Sequence, residues 1–533
     1  MRRRALLSAG AAAALAGCLP APEVLLASRW VGVAPERGHR LRAPRPARAD
    51  GPLRRVGALV LGGGVSGLAA LRALVEGGVD DAQLLELDDA VGGNSRGHTL
   101  AGSGCPMGAH YLPVPGAAAP EVREWLQQIG LLRMTPRGLQ PDERHLCHAP
   151  QERLFIDGAW QDGLLPSAEG RPATRAQYRR FAQAVAEAQR ALPFAMPTTG
   201  LAWQPGHAAL DAQRFDQWLQ AQGLDDSRLL GHLDYCCRDD YGAGIASVSA
   251  WAGLHYFASR HGFAAPGEEA AERDAVFTWP EGNAALVRAL ATPLAPRLHL
   301  GRTVLAVEVG RHAVQVQAWN EAQDAPERWQ AERVVVALPL HVAQHLVQGL
   351  DAPRQRALRE TALATRHAPW LVANLQLDAW PLARTGAPLA WDNVPFLPAG
   401  RSPMLGYVHA RHQSLRTDAA AEPPVITAYL ALPETERGRL LSGSAADWTA
   451  EVLAHLAPLH PDLAQRLRQA DLTRWGHAMA IPAPGVAGQP ARRALREPVG
   501  RVAFVHTDLA GYSVFEEAFT LGARAGRTLA RLG

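Results

Sequence analysis

Arg55-Val56-Gly57-Ala58-Leu59-Val60-Leu61-Gly62-Gly63-Gly64-Val65-Ser66-Gly67 is the stretch on which the fold turns. A short apolar run, long enough for one buried strand, meets a glycine-rich turn and passes at once into the helical pattern of residues 68–76. In a strand–turn–helix unit Gly62 permits the tight turn, Gly64 lets the backbone approach a pyrophosphate, and Gly67 lets the helix pack close on the strand. The phosphates would sit at the helix start, beside Val65 and Ser66, where free N–H groups and the helix dipole favour an anion. A second apolar run, Gln83-Leu84-Leu85, ends in Glu86, 24 positions after Gly62, where a ribose-binding carboxylate belongs. Its charge favours a ribose hydroxyl over a 2′-phosphate.

Around this unit lie 533 residues, enough for several compact bodies, with 47% hydrophobic and 20% charged residues and a formal net charge of +3. That balance argues against nucleic acid as a partner. All 54 basic residues are arginine. The chain therefore has no Schiff-base lysine, no lysine general base and no P-loop lysine. Its five cysteines, Cys18, Cys105, Cys147, Cys236 and Cys237, show no paired metal-ligand spacing, so no metal is expected. Cys236 and Cys237 are adjacent, and two reduced thiols are favoured over a strained vicinal disulfide.

The first eighteen residues read as an address. Arg2, Arg3 and Arg4 precede an apolar run over residues 5–16, too short for a spanning helix of about 20 residues. Arg3-Arg4-Ala5-Leu6-Leu7 resembles a twin-arginine signal, which exports proteins already folded, and Leu15-Ala16-Gly17-Cys18 resembles a lipobox in which Cys18 is acylated. The expectation is a lipid-anchored protein on the periplasmic face of a bacterial membrane. Residues 19–54, rich in Pro, Arg and Ala, read as a tether.

Further along, Leu85-Glu86-Leu87-Asp88-Asp89-Ala90-Val91-Gly92-Gly93 resembles the segment after the second strand in the flavin-containing amine oxidase, protoporphyrinogen oxidase and phytoene desaturase superfamily. The resemblance implies FAD. Where the superfamily usually has arginine after the paired glycines, this chain has Asn94, leaving Arg96 to take the phosphate contact. Trp279-Pro280-Glu281-Gly282-Asn283 resembles a second superfamily segment, after which Val304 would offer backbone contacts at the adenine end. A third match runs from Gly500 through Phe504-Val505-His506-Thr507-Asp508 to Glu516-Glu517-Ala518. There the resemblance implies that Asp508 binds the ribityl–phosphate region and that the helix carrying Glu517 and Ala518 points its N-terminus at the flavin. Glu517 replaces the usual glycine.

Three matches spread over the chain imply an α/β fold, a discontinuous Rossmann-like FAD domain (55–118, 271–350 and 471–533) with an inserted α+β substrate domain (119–270, mainly helical, and 351–470). The function expected is hydride transfer to flavin from a substrate carbon, next to nitrogen in an amine or polyamine. The rival readings are a desaturase of a lipophilic substrate and a non-catalytic flavin-binding lipoprotein. Four residues are catalytic candidates: His110, in the stretch passing beside the flavin; Asp239, in the dense Tyr235-Cys236-Cys237-Arg238-Asp239-Asp240-Tyr241; and Trp475 and His477 before the last FAD segment. For His110 a structural role and a base role both stand. The strand that carries a flavin-facing lysine in many amine oxidases resembles residues 370–377, which hold Trp370 and Asn374 instead. Unless an arginine or a protonated His110 or His477 supplies the positive charge, a dehydrogenase passing electrons to a quinone is expected rather than an oxidase.

Overall fold

The computed structural model describes residues 27–42, 53–265, 275–409, 412, 414, 422–498 and 500–532. The signal and the candidate acylation site Cys18 lie outside the described residues.

The glycine-loop strand, Leu53–Leu61, lies at the centre of an eight-stranded sheet. Gln83–Leu85 pairs with it in parallel on one side and Ala325–Val336 on the other, and Val502–Phe504 pairs in parallel with the end of Ala325–Val336. Leu59, Val60, Leu61, Val334, Val336 and Val502 are all but fully buried, as expected of parallel strands covered on both faces. The early half of Ala325–Val336 also pairs antiparallel with Val314–Asn320, which extends the sheet to Arg302–Val309.

Two helices from opposite ends of the chain cover this sheet together. Val65–Glu76 packs along Phe515–Ala530, and their contact is close because Gly522 and Gly526 carry no side chain. A Cβ on Gly522 would stand 2.0 Å from the Ser66 carbonyl oxygen, and one on Gly526 would stand 2.5 Å from that of Ala70.

A second eight-stranded sheet runs in the order Ala27–Trp30, Leu467–Ile481, Arg366–Leu377, Val425–Ala431, Met404–His409, Asp392–Pro395, Glu152–Ile156, Ala159–Asp162. Helices Pro172–Ala191, Phe215–Ala221, Ser227–Tyr241 and Ala250–Ala258 share an aromatic core with one face of it. This is the inserted α+β body.

The structure redraws several expected boundaries. Residues 27–42 are not a tether: Ala27–Trp30 pairs in parallel with Leu467–Ile481, and helix Pro35–His39 follows. The bidentate bonds of Arg29 to the fully buried Asp471 and the packing of Trp30 outweigh a composition that looks like linker. Residues 119–132 lend Val122, Trp125, Leu126 and Leu132 to the core of the first sheet, and Ala352–Ala364 packs there too, so the first body is larger than its expected segments. Strand Leu467–Ile481 belongs wholly to the second sheet, which moves the last FAD segment past residue 481.

Candidate active site and cofactor crevice

Strands Leu53–Leu61, Gln83–Leu85 and Val502–Phe504 end at one crevice, the place where open parallel sheets bind ligands. The glycines there divide into distinct duties. Gly62 has φ +101°, and a Cβ on it would crowd the Ala337 carbonyl. A Cβ on Gly67 would stand 1.9 Å from the Gly62 carbonyl oxygen, so helix Val65–Glu76 can begin this close to its strand only with glycine there. Gly64 differs: its φ of −68° suits any residue, and a Cβ would meet nothing within 4 Å. Its hydrogen faces open space at a helix start that no side chain caps. A backbone cradle that a side chain would fill is what a pyrophosphate requires.

Glu86 closes the floor of the crevice. Its carboxylate accepts the Gly63 N–H at 2.6 Å and the Asp88 N–H at 2.8 Å, while burial pushes its pKa up. Gly92 and Gly93 stand opposite, with Gly92 bridged to Gly64 and Gly93 close to the Gly64 Cα. Val304 is buried on Arg302–Val309, a strand tied to this floor where the Arg302 N–H donates to the Glu86 carbonyl.

Several expected contacts lie elsewhere. Arg96 donates from Nη1 to Asp88 at 3.0 Å and to the Gly32 carbonyl at 3.1 Å, so it binds the chain's own N-terminal segment. Asn94 reaches across to the Ala478 carbonyl. Asp508 is fully buried, accepting from His367 at 2.8 Å and from the Leu340 N–H at 2.8 Å. Burial works against its charge, yet His506 and His367 hold it well below the usual carboxylate range. Glu517 does not face the crevice. Its carboxylate is buried in the helical body, where it accepts from Thr198, from the Thr199 hydroxyl at 3.0 Å and from the Tyr512 hydroxyl at 2.8 Å. A buried carboxylate needs such donors, and glycine's place is taken by a bond between bodies. Ala518 stays in the first turn of Phe515–Ala530, packed against the first core.

The catalytic candidates separate in space. His110 stacks on Tyr429 with ring centroids 4.4 Å apart and stands 5.5 Å from Trp391, and burial pushes its pKa down to about 3. Its neighbour Tyr111 donates to Asp239 at 3.0 Å. Tyr235 donates to Asp392 at 3.4 Å, and the charges of Asp239 and Glu152 act on Asp392. His110, Tyr111, Tyr235, Asp239, Tyr256 and Asp392 thus form one buried aromatic–acidic cluster. Burial and then Asp240 raise Asp239 to about 7, and burial and then Asp239 drive Asp392 well above the carboxylate range. Glu516, in the first turn of Phe515–Ala530, is pushed up to about 7 by burial and feels both Arg260 and Asp240, which pair at 2.7 Å.

Trp475 donates from its indole N–H to the Met107 carbonyl at 2.6 Å and pins the stretch that leads to His110. His477 lies apart, exposed and stacked on His341 at 4.4 Å, with its pKa pushed down to about 4 by burial of the ring face and then by Arg437. His341, His367 and Asp508 bring ligand-type atoms within 4.8 Å of one another, although the spacing of residues gave no metal pattern. Two of the three are joined by the His367–Asp508 hydrogen bond. Cys236 and Cys237 are free, buried thiols.

Sequence reading missed Asp392, Tyr256, Trp391 and Tyr429, which reach the cluster from three separate elements, Trp391 and Asp392 standing side by side at the start of one strand. A model of the family described as flavin containing amine oxidoreductase matches residues 65–530. The chain belongs to that family. It is an FAD-dependent oxidoreductase, and the open Gly64 cradle with Glu86 at its floor fits that cofactor. No curated protein matches the sequence. Among solved structures, putrescine oxidase with bound putrescine superposes with a TM-score of 0.64 at 17% identity, covering 90% of this chain and 99% of that one. Cyclohexylamine oxidase from Brevibacterium oxydans IH-35A gives 0.64 at 17%, covering 89% and 99%. A CLA-producing fatty acid isomerase from P. acnes gives 0.58 at 14%, covering 88% and 97%. At these identities the likeness is one of fold.

Proposed function

We propose that this family member oxidises a cationic amine, removing hydride from the carbon next to nitrogen. The observation that carries the reading is the buried cluster beside His110, where Asp239 and Asp392 are set among Tyr111, Tyr235, Tyr429 and Trp391. Burial and the charge of Asp239 make Asp392 unfavourable to ionise alone, and an ammonium group between the two carboxyls relieves that cost. Aromatic faces add cation–π attraction. The same carboxylates would repel a fatty acid, which counts against the lipophilic-substrate reading despite the isomerase-like fold.

FAD supplies the hydride acceptor. Tyr111 and Tyr235 orient the two carboxylates, and the carboxylates hold the amine. His110, kept neutral by burial, is a flat wall and a hydrogen-bonding group rather than a cation. His477 is likewise held neutral, Asn374 is fully buried with its amide donating to the Pro106 carbonyl, and Arg260 is paired with Asp240. The chain has no lysine. Oxygen therefore lacks electrostatic help, and a quinone is the acceptor in this reading.

The location belongs to the same proposal, resting on Arg3, Arg4 and Cys18 in the sequence. From Cys18 to Ala27, the first described residue, is nine positions, at most ~30 Å of extended chain. An acylated Cys18 would hold the body near the membrane that carries the quinone. No helix among the described residues is long and apolar enough to cross a membrane.

The test is anaerobic mixing of FAD-loaded protein with monoamines, diamines and fatty acids, followed by aerated buffer or a soluble quinone. Bleaching of the flavin band by amines alone, reversed faster by quinone, is expected. Bleaching by none of the amines would sink the substrate assignment, and fast reversal by oxygen with stoichiometric peroxide would sink the acceptor assignment.

A further inference from the structure

We infer that residues 27–42 form a fourth piece of the cofactor site, a strap that latches the adenosine end of the crevice and governs how fast FAD leaves. The inference rests on FAD occupying the crevice of Gly64 and Glu86.

The front of the strap is fixed to the substrate body. Ala27–Trp30 adds a parallel edge strand to Leu467–Ile481, the Val31 N–H continues the ladder to the Leu472 carbonyl, and Arg29 clasps Asp471, which also accepts from His98 at 2.8 Å. Trp30 lies against an apolar core that includes Leu371, Trp448 and Leu472, with Arg474 over its ring at 4.7 Å.

The back of the strap is fixed to the cofactor body, at the loop that orients Glu86. The Ala34 N–H donates to Asp88 Oδ1 at 3.3 Å, Arg37 donates to the Leu87 carbonyl at 3.1 Å and pairs with Asp89, and Arg40 pairs with Glu321 at 2.8 Å while lying over Trp319. Arg96 joins the two sides, holding Gly32 of the strap and Asp88 of the loop with one nitrogen. Asp88 is therefore a hub. Its side chain is gripped by the strap and Arg96, while its own N–H donates to Glu86.

Exposed pairs such as Arg37–Asp89 contribute little singly, and the grip comes from a short ladder with several weak bonds in parallel. Such an element opens locally, at a smaller free-energy cost than global unfolding, and its opening would set the cofactor's escape.

Two variants that lift the strap from different points test this. Gly32 has φ +90°, and a Cβ there would stand 1.7 Å from Met107 Cε, so Gly32→Val should displace the segment. Arg29→Ala with Trp30→Ala weakens the ladder without touching Met107. The Gly38→Ala control meets nothing within 4 Å. In FAD-loaded full-length protein both lifting variants should release FAD about tenfold faster or more, read by recovery of flavin fluorescence. The control should stay within twofold, and the melting temperature of the FAD-free protein should match the parent. Hydrogen exchange at Ser28–Val31 reports whether the strap has lifted. Faster exchange there with an unchanged release rate overturns the latch. So does an FAD-free protein that melts as much lower as the loaded one, because the strap would then be a support of the fold alone. If exchange stays slow in both variants, the segment is too firmly held to gate escape, which also overturns it. A parent that binds no FAD would instead indict the cofactor assignment.

Discussion

The glycine-loop crevice and the aromatic–acidic cluster proposed to hold the substrate are built by opposite means. At the crevice the working parts are backbone: an uncapped helix start, a glycine whose hydrogen faces open space, and one carboxylate held by two N–H groups. At the cluster they are side chains, brought by Ser227–Tyr241, Asp392–Pro395, Val425–Ala431 and the stretch around His110. A backbone site depends on a few neighbouring residues and fails all at once when sterically filled. A side-chain site spreads its function over many groups, and each loss is graded. The two halves should therefore respond differently to mutation.

The largest effect is expected at Gly64. Its φ is ordinary and a Cβ meets nothing, so Gly64→Val should fold as the parent does yet purify without the flavin colour. Gly67→Val is the contrast: its side chain collides with the Gly62 carbonyl, and the protein should lose stability as well as FAD. Circular dichroism and the 450 nm band read together separate the cases. Full flavin content in Gly64→Val would remove the difference between the two halves.

Glu86→Ala should have a smaller effect on the same half. Removing the carboxylate leaves the Gly63 and Asp88 N–H groups without their partner and the ribose without an acceptor. FAD affinity should fall by about 1.5–3 kcal/mol, the range for a hydrogen bond to a charged group. Titration of FAD-free protein checks it, and an unchanged affinity would show that Glu86 serves the loop and not the cofactor.

The same contrast explains what could be read from sequence. Gly62, Gly64, Gly67 and Glu86 were legible because a tight turn and a helix start impose local rules on adjacent residues. The cluster was legible only where polar and aromatic residues lie close along the chain, as at Tyr235 and Asp239. Asp392 follows a tryptophan on a short strand and gives no local sign that it faces Asp239 across more than 150 residues of chain. Glu517 was misplaced for a related reason: its position in the helix was right, but the direction of its side chain is decided by Thr198, Thr199 and Tyr512. Residues 27–42 show that a Pro- and Arg-rich composition hides a strand when a partner strand far along the chain supplies the order.

The smallest effect is expected from Asp239→Asn, which keeps the shape and the Tyr111 contact and removes only charge. Burial and the neighbouring Asp240 raise the Asp239 pKa to about 7, so in the free enzyme it is protonated below that pH and ionised above it. An alkylamine, with a pKa near that of lysine at about 10.4, stays cationic through this range. The parent's kcat/KM should therefore fall as pH drops below about 7, with an apparent pKa shared by Asp239, Asp392 and Glu516. In the variant Asp392 loses a negative neighbour, its pKa falls, and the acid limb moves to lower pH. The loss in kcat/KM should be about tenfold at pH 8, within the effect of one exposed-to-buried charge pair, and small at pH 6. Stability gives an independent sign. A carboxyl whose folded pKa is raised binds more protons folded than unfolded, so it costs stability increasingly as pH rises from about 4 to about 7. Asp239→Asn should then match the parent's melting temperature near pH 4 and exceed it at pH 8. A variant that loses activity equally at pH 6 and pH 8, with no gain in melting temperature, would show that Asp239 acts through its shape. The cluster would then depend on local packing as the crevice does, and the contrast between the two halves would not hold.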